Sequence, residues 1–293
     1  MRRKKVIKTR SSERSITALP LIWLVLFFLI PTLIVYAFAF KPAEIYGGVG
    51  EGWTLETIKG LFSAFNLQII YRSFLLSAIA TIFCLVIALP VGFAIARMKG
   101  RSRHLALLLI VLPFWTSFII RIYAWKFLLH PEGIVKQALV ILHIVGEDAV
   151  LLYQPWTVVL VMVYSYIPFA ILPIYAASSK FDEHLFEAAM DLGMTKLKAF
   201  FKVFIPSIQT GIIAAVLLVF IPALGAYIIP DVIGGTRAEM IGNKIVQKTF
   251  VERNIPFASA LSALLSLSVL VPLVIASVVQ MRLGKSHSVK GGH

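Results

Sequence analysis

Fourteen carboxylates, six histidines and one cysteine are the groups in this 293-residue chain able to do acid–base, nucleophilic or metal chemistry, and spacing leaves most of them without any. Cys84 stands alone, so neither a disulfide nor a metal site can be built on it. His104, His130, His143, His184, His287 and His293 have no ligand spacing, and a structural or solvated role suits them. No H-E-x-x-H, nucleophile elbow or P-loop occurs. The chain therefore cannot bind and hydrolyse ATP by itself. One carboxylate set does carry a pattern. Glu183, Glu187 and Asp191 recur at helical period beside an apolar stripe of Phe181, Leu185, Ala189 and Leu192, which predicts a short amphipathic helix. Gly193 suits the left-handed position that stops such a helix. Thr195 can cap a second helix whose Leu197, Phe200, Phe201 and Phe204 make an apolar face and whose Lys198 and Lys202 make a basic one, as far as Pro206. Two short helices at an angle form a knuckle. Its first arm is acidic, whereas helices that lie on lipid favour a basic polar face, so a protein partner is the better match.

The elements that must hold this knuckle are apolar. With 59% hydrophobic and 14% charged residues, the composition is that of a polytopic membrane protein. A hydrocarbon core of about 30 Å takes about 20 helical residues to cross. Six stretches reach that length: Leu19 to Phe40, Ser73 to Ala96, His104 to Leu129, Leu152 to Ala177, Ser207 to Ile229 and Phe257 to Met281. Lipid offers backbone groups no partners, so each is expected to be a helix, and run length excludes the short alternating strands of a barrel. Of the 28 Lys and Arg, 18 fall in the tails and even-numbered loops against 8 in the others, with Arg121 and Lys126 inside the third span. The positive-inside rule then places both termini in the cytoplasm. The expected organisation is an all-α bundle of six transmembrane helices: a basic tail over 1–18, a membrane domain over 19–281 with the knuckle in a cytoplasmic loop over 178–206, and a tail over 282–293. The basic N-terminus is a topology signal beside an anionic leaflet, and no nucleic acid is required to explain it. The first span is too long for the apolar region of a cleaved signal peptide, and no small-residue cleavage site follows it.

All fourteen Asp and Glu lie outside the six stretches. A proton- or sodium-coupled carrier needs an intramembrane carboxylate or matched interrupted helices. If this chain moves a solute, the energy enters from outside the bilayer, and the knuckle is where it would enter.

The run Glu187-Ala188-Ala189, three residues, Gly193, nine residues, then Val203-x-Ile205-Pro206 resembles the EAA loop of bacterial ABC importer permeases, usually written EAA, three residues, G, nine residues, I-x-L-P. Val203 and Ile205 are apolar replacements within that pattern. Pro113-Phe114-Trp115-Thr116-Ser117, Ile120-Arg121-Ile122-Tyr123 and Ile241-Gly242-Asn243 look like the spermidine/putrescine branch, so the similarity covers nearly the whole chain. The resemblance implies a six-helix permease of a type I importer in the bacterial inner membrane. Its partners would be two ATP-binding cassette subunits, a second and related permease, and an extracytoplasmic solute-binding protein. The chain would hold no cofactor, with ATP and Mg on the ATPase. Glu187, Ala188, Ala189, Asp191, Gly193 and Lys198 would be the ATPase-coupling residues.

A polyamine site would need carboxylates for the amines and aromatic faces for cation–π contact. Along straight helices Trp115 and Tyr166 would lie about 17 and about 15 Å deep, and Asp231, one turn after Tyr227, would stand about 36 Å along the fifth span at its outer mouth. These four are the candidate pathway residues. The plainer roles are packing and interface anchoring for the aromatics and turn capping for Asp231. Arg121, about 25 Å along its span, would repel a polycation and would become the leading contact if the cargo were an anion. Other cargoes, such as an anion, an opine-like compound or a metal complex, a self-sufficient carrier or channel, and a non-transporting scaffold or receptor are the alternatives.

Overall fold

The computed structural model describes residues 18–44 and 46–289, with side chains as far as residue 274. Nearly all of the expected basic tail, and the last four residues of the expected C-terminal tail, lie outside them. In chain order the helices are α1 (Ala18–Phe38), α2 (Glu56–Leu61), α3 (Ala64–Arg97), α4 (Gly100–Val111), α5 (Phe118–Leu128), α6 (Ile134–Ile141), α7 (Pro155–Ser178), α8 (Glu183–Asp191), α9 (Lys196–Ser207), α10 (Gln209–Leu224), α11 (Ile241–Val246) and α12 (Ile255–Val289). Among the described residues the only β pairing is an isolated bridge between Ala43 and Val49.

Four helices, α1, α3, α7 and α12, are long and apolar enough to cross a bilayer singly. The other two expected spans are not single straight helices. The third is α4 and α5 meeting at 90°, and the fifth is α10 entered from α9 at 76°. In the third, Pro113 has no N–H for the α ladder, the chain tightens into a 3₁₀ turn over Leu112–Trp115, Thr116 is extended and Ser117 leaves the helical conformation. The Thr116 N–H donates to Pro113 O at 3.3 Å and closes that turn, and the Thr116 hydroxyl donates to the same carbonyl at 2.8 Å. The straight-helix depth of Arg121, beyond the break, therefore does not hold, whereas Trp115 ends the first segment before the chain turns. The depth of Asp231 fails as well, because α10 ends at Leu224 and its sixteen residues rise only about 24 Å.

The chain divides into two compact units. One comprises the described residues up to Asn66 together with those from Ile245. In it α1 packs on α12, where Tyr36 Oη and Ser266 Oγ are 2.9 Å apart, and Lys41 Nζ lies 4.6 Å over the Trp53 ring. The side chains of α1 from Leu19 to Pro31 are exposed and almost wholly apolar, as a lipid-facing helix requires.

The other unit, Leu67–Lys244, carries the core and both candidate sites. Its centre is the α7–α10 pair. Val158, Val161, Met162, Ala170 and Ile174 of α7 and Ala215, Val219 and Ala223 of α10 are buried. Small residues set this interface: a Cβ on Gly211 would overlap the Ala177 methyl and stand 2.9 Å from Pro173 O. Close backbone approach of this kind is how helices associate where lipid removes the hydrophobic driving force.

Candidate functional site

The knuckle is built by α8 and α9. Asp182 starts α8, its Oδ1 accepting from the His184 N–H at 3.1 Å. The stop is a Schellman motif. The Gly193 N–H donates to Met190 O at 2.9 Å and the Met194 N–H to Ala189 O at 3.1 Å, around a Gly193 φ of +86°. A Cβ on Gly193 would meet nothing within 4 Å, so the demand for glycine comes from the backbone alone. Thr195 Oγ1 then accepts from the Lys198 N–H at 3.4 Å and begins α9.

The face that α8 turns inward differs from the expected stripe. Phe186 and Ala189 are buried and Met190 half-buried, whereas Leu185 and Leu192 are exposed, Leu192 to 84%. The helix is rolled so that its one aromatic ring joins a cluster. Phe93 of α3 has ring centroids of Phe186, Phe200 and Phe204 at 5.7, 5.3 and 4.4 Å, and Phe181 lies 5.3 Å from Phe204. A phenyl ring removes more apolar area from water than a leucine, so it decides the roll. The outer surface is then mixed. Glu187, Ala188, Asp191, Gly193 and Lys198 are all exposed beside Leu185, Leu192, Leu197 and Phe201, while Ala189 is spent on internal packing. His184 Nδ1 stands 3.4 Å from Glu187 Oε2. Leucine and phenylalanine side chains edged with carboxylates thus form the exposed outer surface of the knuckle.

The four pathway candidates fall in different environments. Trp115 is 76% exposed at the α4–α5 break. Tyr166 is buried between α7 and α10, and its hydroxyl points at Pro222 O at 3.5 Å, one of the carbonyls left without a helical partner at the end of α10. In this conformation it is a packing residue. Tyr227 and Asp231 do come together: the Asp231 N–H donates to Tyr227 O at 3.0 Å, and both side chains are exposed. Arg121 on α5 has its guanidinium 5.4 and 5.7 Å from the Phe114 and Phe118 rings, and its buried Nε has no acceptor among the described residues.

Several residues that organise these sites carry no motif of their own. Asn243 accepts the Met240 N–H at 3.2 Å and donates through Nδ2 to Tyr227 O at 2.9 Å, pinning the turn that presents Tyr227 and Asp231. Buried Ser73 on α3 accepts the Ile241 N–H at 2.8 Å. These three bonds give the Ile241-Gly242-Asn243 run its structural meaning. Phe93 and Arg97, four apart at the end of α3, meet the knuckle directly; their spacing was the available signal, since residues four apart share a helix face.

A helical chain with helices long and apolar enough to cross a bilayer and a bent acidic knuckle has the build of a membrane protein. Residues 88–287 match the family described as binding-protein-dependent transport system inner membrane component, and the chain belongs to that family. It is 39% identical over 253 residues to the spermidine/putrescine transport system permease protein PotB of Haemophilus influenzae, covering 86% of this chain and 88% of that protein. It is 34% identical to PotB of Escherichia coli K12, covering 84% and 89%. In fold it is similar to a chain of a bacterial ABC transporter that imports the acidic polysaccharide alginate, with a TM-score of 0.69, 20% identity, and 93% and 96% of the two chains covered. A second structure of an alginate ABC transporter, in complex with an alginate pentasaccharide-bound periplasmic protein, gives a TM-score of 0.70 at 19% identity, covering 94% and 96%.

Proposed function

We propose that this chain is a permease subunit of an ATP-driven polyamine importer, forming half of the pathway along which spermidine or putrescine enters the cytoplasm. The observation that carries the cargo is the likeness to two PotB proteins at 39% and 34% identity over most of both chains. The observation that carries the mechanism is the knuckle. Its Schellman turn and Thr195 cap fix the angle between two arms, and its outer face offers apolar side chains and carboxylates to a partner. In this reading six spans cross the bacterial inner membrane with both ends in the cytoplasm, each bent pair serving as one span. Two ATPase subunits carry ATP and Mg, one of them seats α8, and a second, related permease completes the pathway. An extracytoplasmic binding protein delivers cargo. Closure of the ATPases draws the two permeases' knuckles together, and rigid helices turn that motion into alternating access. Glu187 pairs with a basic group of the ATPase, with Ala188, Asp191 and Lys198 around the same contact. Trp115, Tyr227 and Asp231 line the polyamine route, with Tyr166 joining it when α7 and α10 separate.

The test is uptake of radiolabelled spermidine into proteoliposomes holding the complete transporter, with binding protein outside and ATP inside. Uptake that needs ATP and stops when Glu187 is replaced by Lys supports the assignment. Uptake by this chain with no ATPase present refutes it.

An anionic cargo is the second reading, favoured by Arg121, whose buried Nε faces aromatic rings without an acceptor among the described residues. Competition by dicarboxylates rather than by polyamines would select it.

A further inference from the structure

The longest helix of the core unit ends against the knuckle, and one ring and one cation make the contact. Arg97 closes α3, where a positive charge is favoured by the helix dipole. Its guanidinium lies 3.5 Å from the centroid of the Phe93 ring and 5.0 Å from that of Phe186, and its Nε is 3.3 Å from Glu183 Oε1. Two of these three partners belong to α8. Phe93 itself reaches Phe186 on α8 and Phe200 and Phe204 on α9, so a single ring is wedged between both arms and Arg97 covers it. Beside the wedge lies a cavity of about 580 Å³ lined by Pro90, Phe93, Arg97, Phe186 and Phe200 among others.

The backbone offers no comparable connection. Between α7 and α8 the helix stops at Ser178 and restarts at Glu183, and between α9 and α10 the chain bends by 76° at Ile208. Both joints lack a continuous hydrogen-bond ladder and yield under load. Aromatic packing against α3 does not yield in the same way, because close-packed interfaces transmit strain. Pro90, two turns before the end of α3, has no N–H to give the Val86 carbonyl and weakens the ladder there.

We infer that Arg97 is a positioning residue that ties the knuckle to α3, so that motion of the coupling helices reaches the second span through the Phe93–Arg97 clamp, with Pro90 as the joint. This rests on the reading of α8 and α9 as the ATPase-facing element. Arginine is required for its flat guanidinium, which stacks on a ring and holds a carboxylate at once; lysine does only the second.

The complete transporter is reconstituted in proteoliposomes, and radiolabelled spermidine taken up per ATP hydrolysed is measured together with the amount of ATPase retained. Arg97→Glu, which loses both the exposed ion pair and the ring stack, and Glu183→Arg, which loses the pair and sets two guanidiniums together, should each lower cargo per ATP about tenfold with the ATPase still bound. The double reversal should recover to within about threefold, since the pair is restored while the ring stack is lost. Arg97→Lys keeps the charge at the helix end and decides the matter if the reversals fail to insert; it should lower the ratio about threefold. Full coupling in Arg97→Lys or in the single reversals overturns the inference. So does a double reversal no better than either single one, or loss of the ATPase from the single variants, which would make Arg97 a docking residue. A wild-type transporter without ATP-driven uptake would sink the functional assignment and, with it, the coupling role of Arg97.

Discussion

Gly193 is the place where one substitution separates the knuckle's geometry from everything else in the chain. Its φ of +86° lies in the left-handed region, and a Cβ there would touch nothing within 4 Å. Replacement by Ala thus adds no clash and costs only backbone strain, about 1–2 kcal/mol. That lowers the population of the correctly bent knuckle about 5- to 30-fold relative to competing conformations. Gly193→Pro does more. It fixes φ near −65° and removes the N–H that Met190 O accepts at 2.9 Å, a loss of about 3 kcal/mol or more. Gly193→Asn, which tolerates the left-handed region, should stay within about threefold of wild type. Initial rates of radiolabelled spermidine uptake in proteoliposomes should fall in the order Gly, Asn, Ala, Pro, with the Pro variant inactive and all four equally inserted. Exposed Gly193 takes no part in span packing, so equal insertion is expected from the structure. Uptake by the Pro variant within about twofold of wild type would show that the turn is not part of coupling. A ranking with Asn below Ala would show that something other than φ sets the effect.

Ser73→Ala should leave the buried Ile241 N–H without an acceptor and lower the stability of the detergent-solubilised protein by about 1–3 kcal/mol, read as a drop in thermal midpoint that Ser73→Thr largely avoids. Gly211→Leu should force α7 and α10 apart against Ala177 and Pro173 and cost about 1–3 kcal/mol or more, seen as poor recovery of folded protein by size-exclusion chromatography. Asp231→Asn should raise the KM for spermidine about tenfold while basal ATP hydrolysis stays unchanged; an unaltered KM would return Asp231 to a turn-forming role. Tyr166→Phe removes only a long hydroxyl contact to Pro222 O and should change stability by less than about 1 kcal/mol.

How much of this was legible in the sequence depends on which physical quantity each feature expresses. Apolar run length expresses a transfer free energy, and it marks α1, α3, α7 and α12 closely, although α3 begins nine residues before the expected start at Ser73. Turn chemistry is local as well: Gly193 and Thr195 stop and start helices because of their own φ and hydroxyl, and they do so in the structure. The roll of α8 is not local. Its period was readable, but Leu185 and Leu192 compete with Phe186 for the inward position, and the winner depends on where Phe93 of α3 arrives. Arg97 was hidden for a related reason. At the end of a span it counted as one more topology charge, and only the fold brings Glu183 and Phe186 to it.

The broken third span shows why proline alone was no guide. Pro90, Pro168, Pro173, Pro222 and Pro272 all lie inside continuous helices, since neighbouring helices and hydroxyls can compensate the missing bond. Pro113 differs in the residues on its C-terminal side. The Pro113 carbonyl accepts both the Thr116 N–H at 3.3 Å and the Thr116 hydroxyl at 2.8 Å, so the chain leaves the ladder with that acceptor doubly satisfied, and Ser117 leaves the helical conformation before α5 starts. A break at membrane depth needs substitutes for the helical bonds it gives up, and a hydroxyl three residues after the proline is one of them. The informative unit is therefore Pro-x-x-Thr-Ser rather than Pro. On this argument Thr116→Val, which keeps the shape and deletes the hydroxyl, should weaken the bend and reduce uptake, whereas Thr116→Ser should not. Equal uptake by both variants would mean that the break is held by packing around Phe114, whose ring meets Phe169 at 5.1 Å, and not by the hydroxyl.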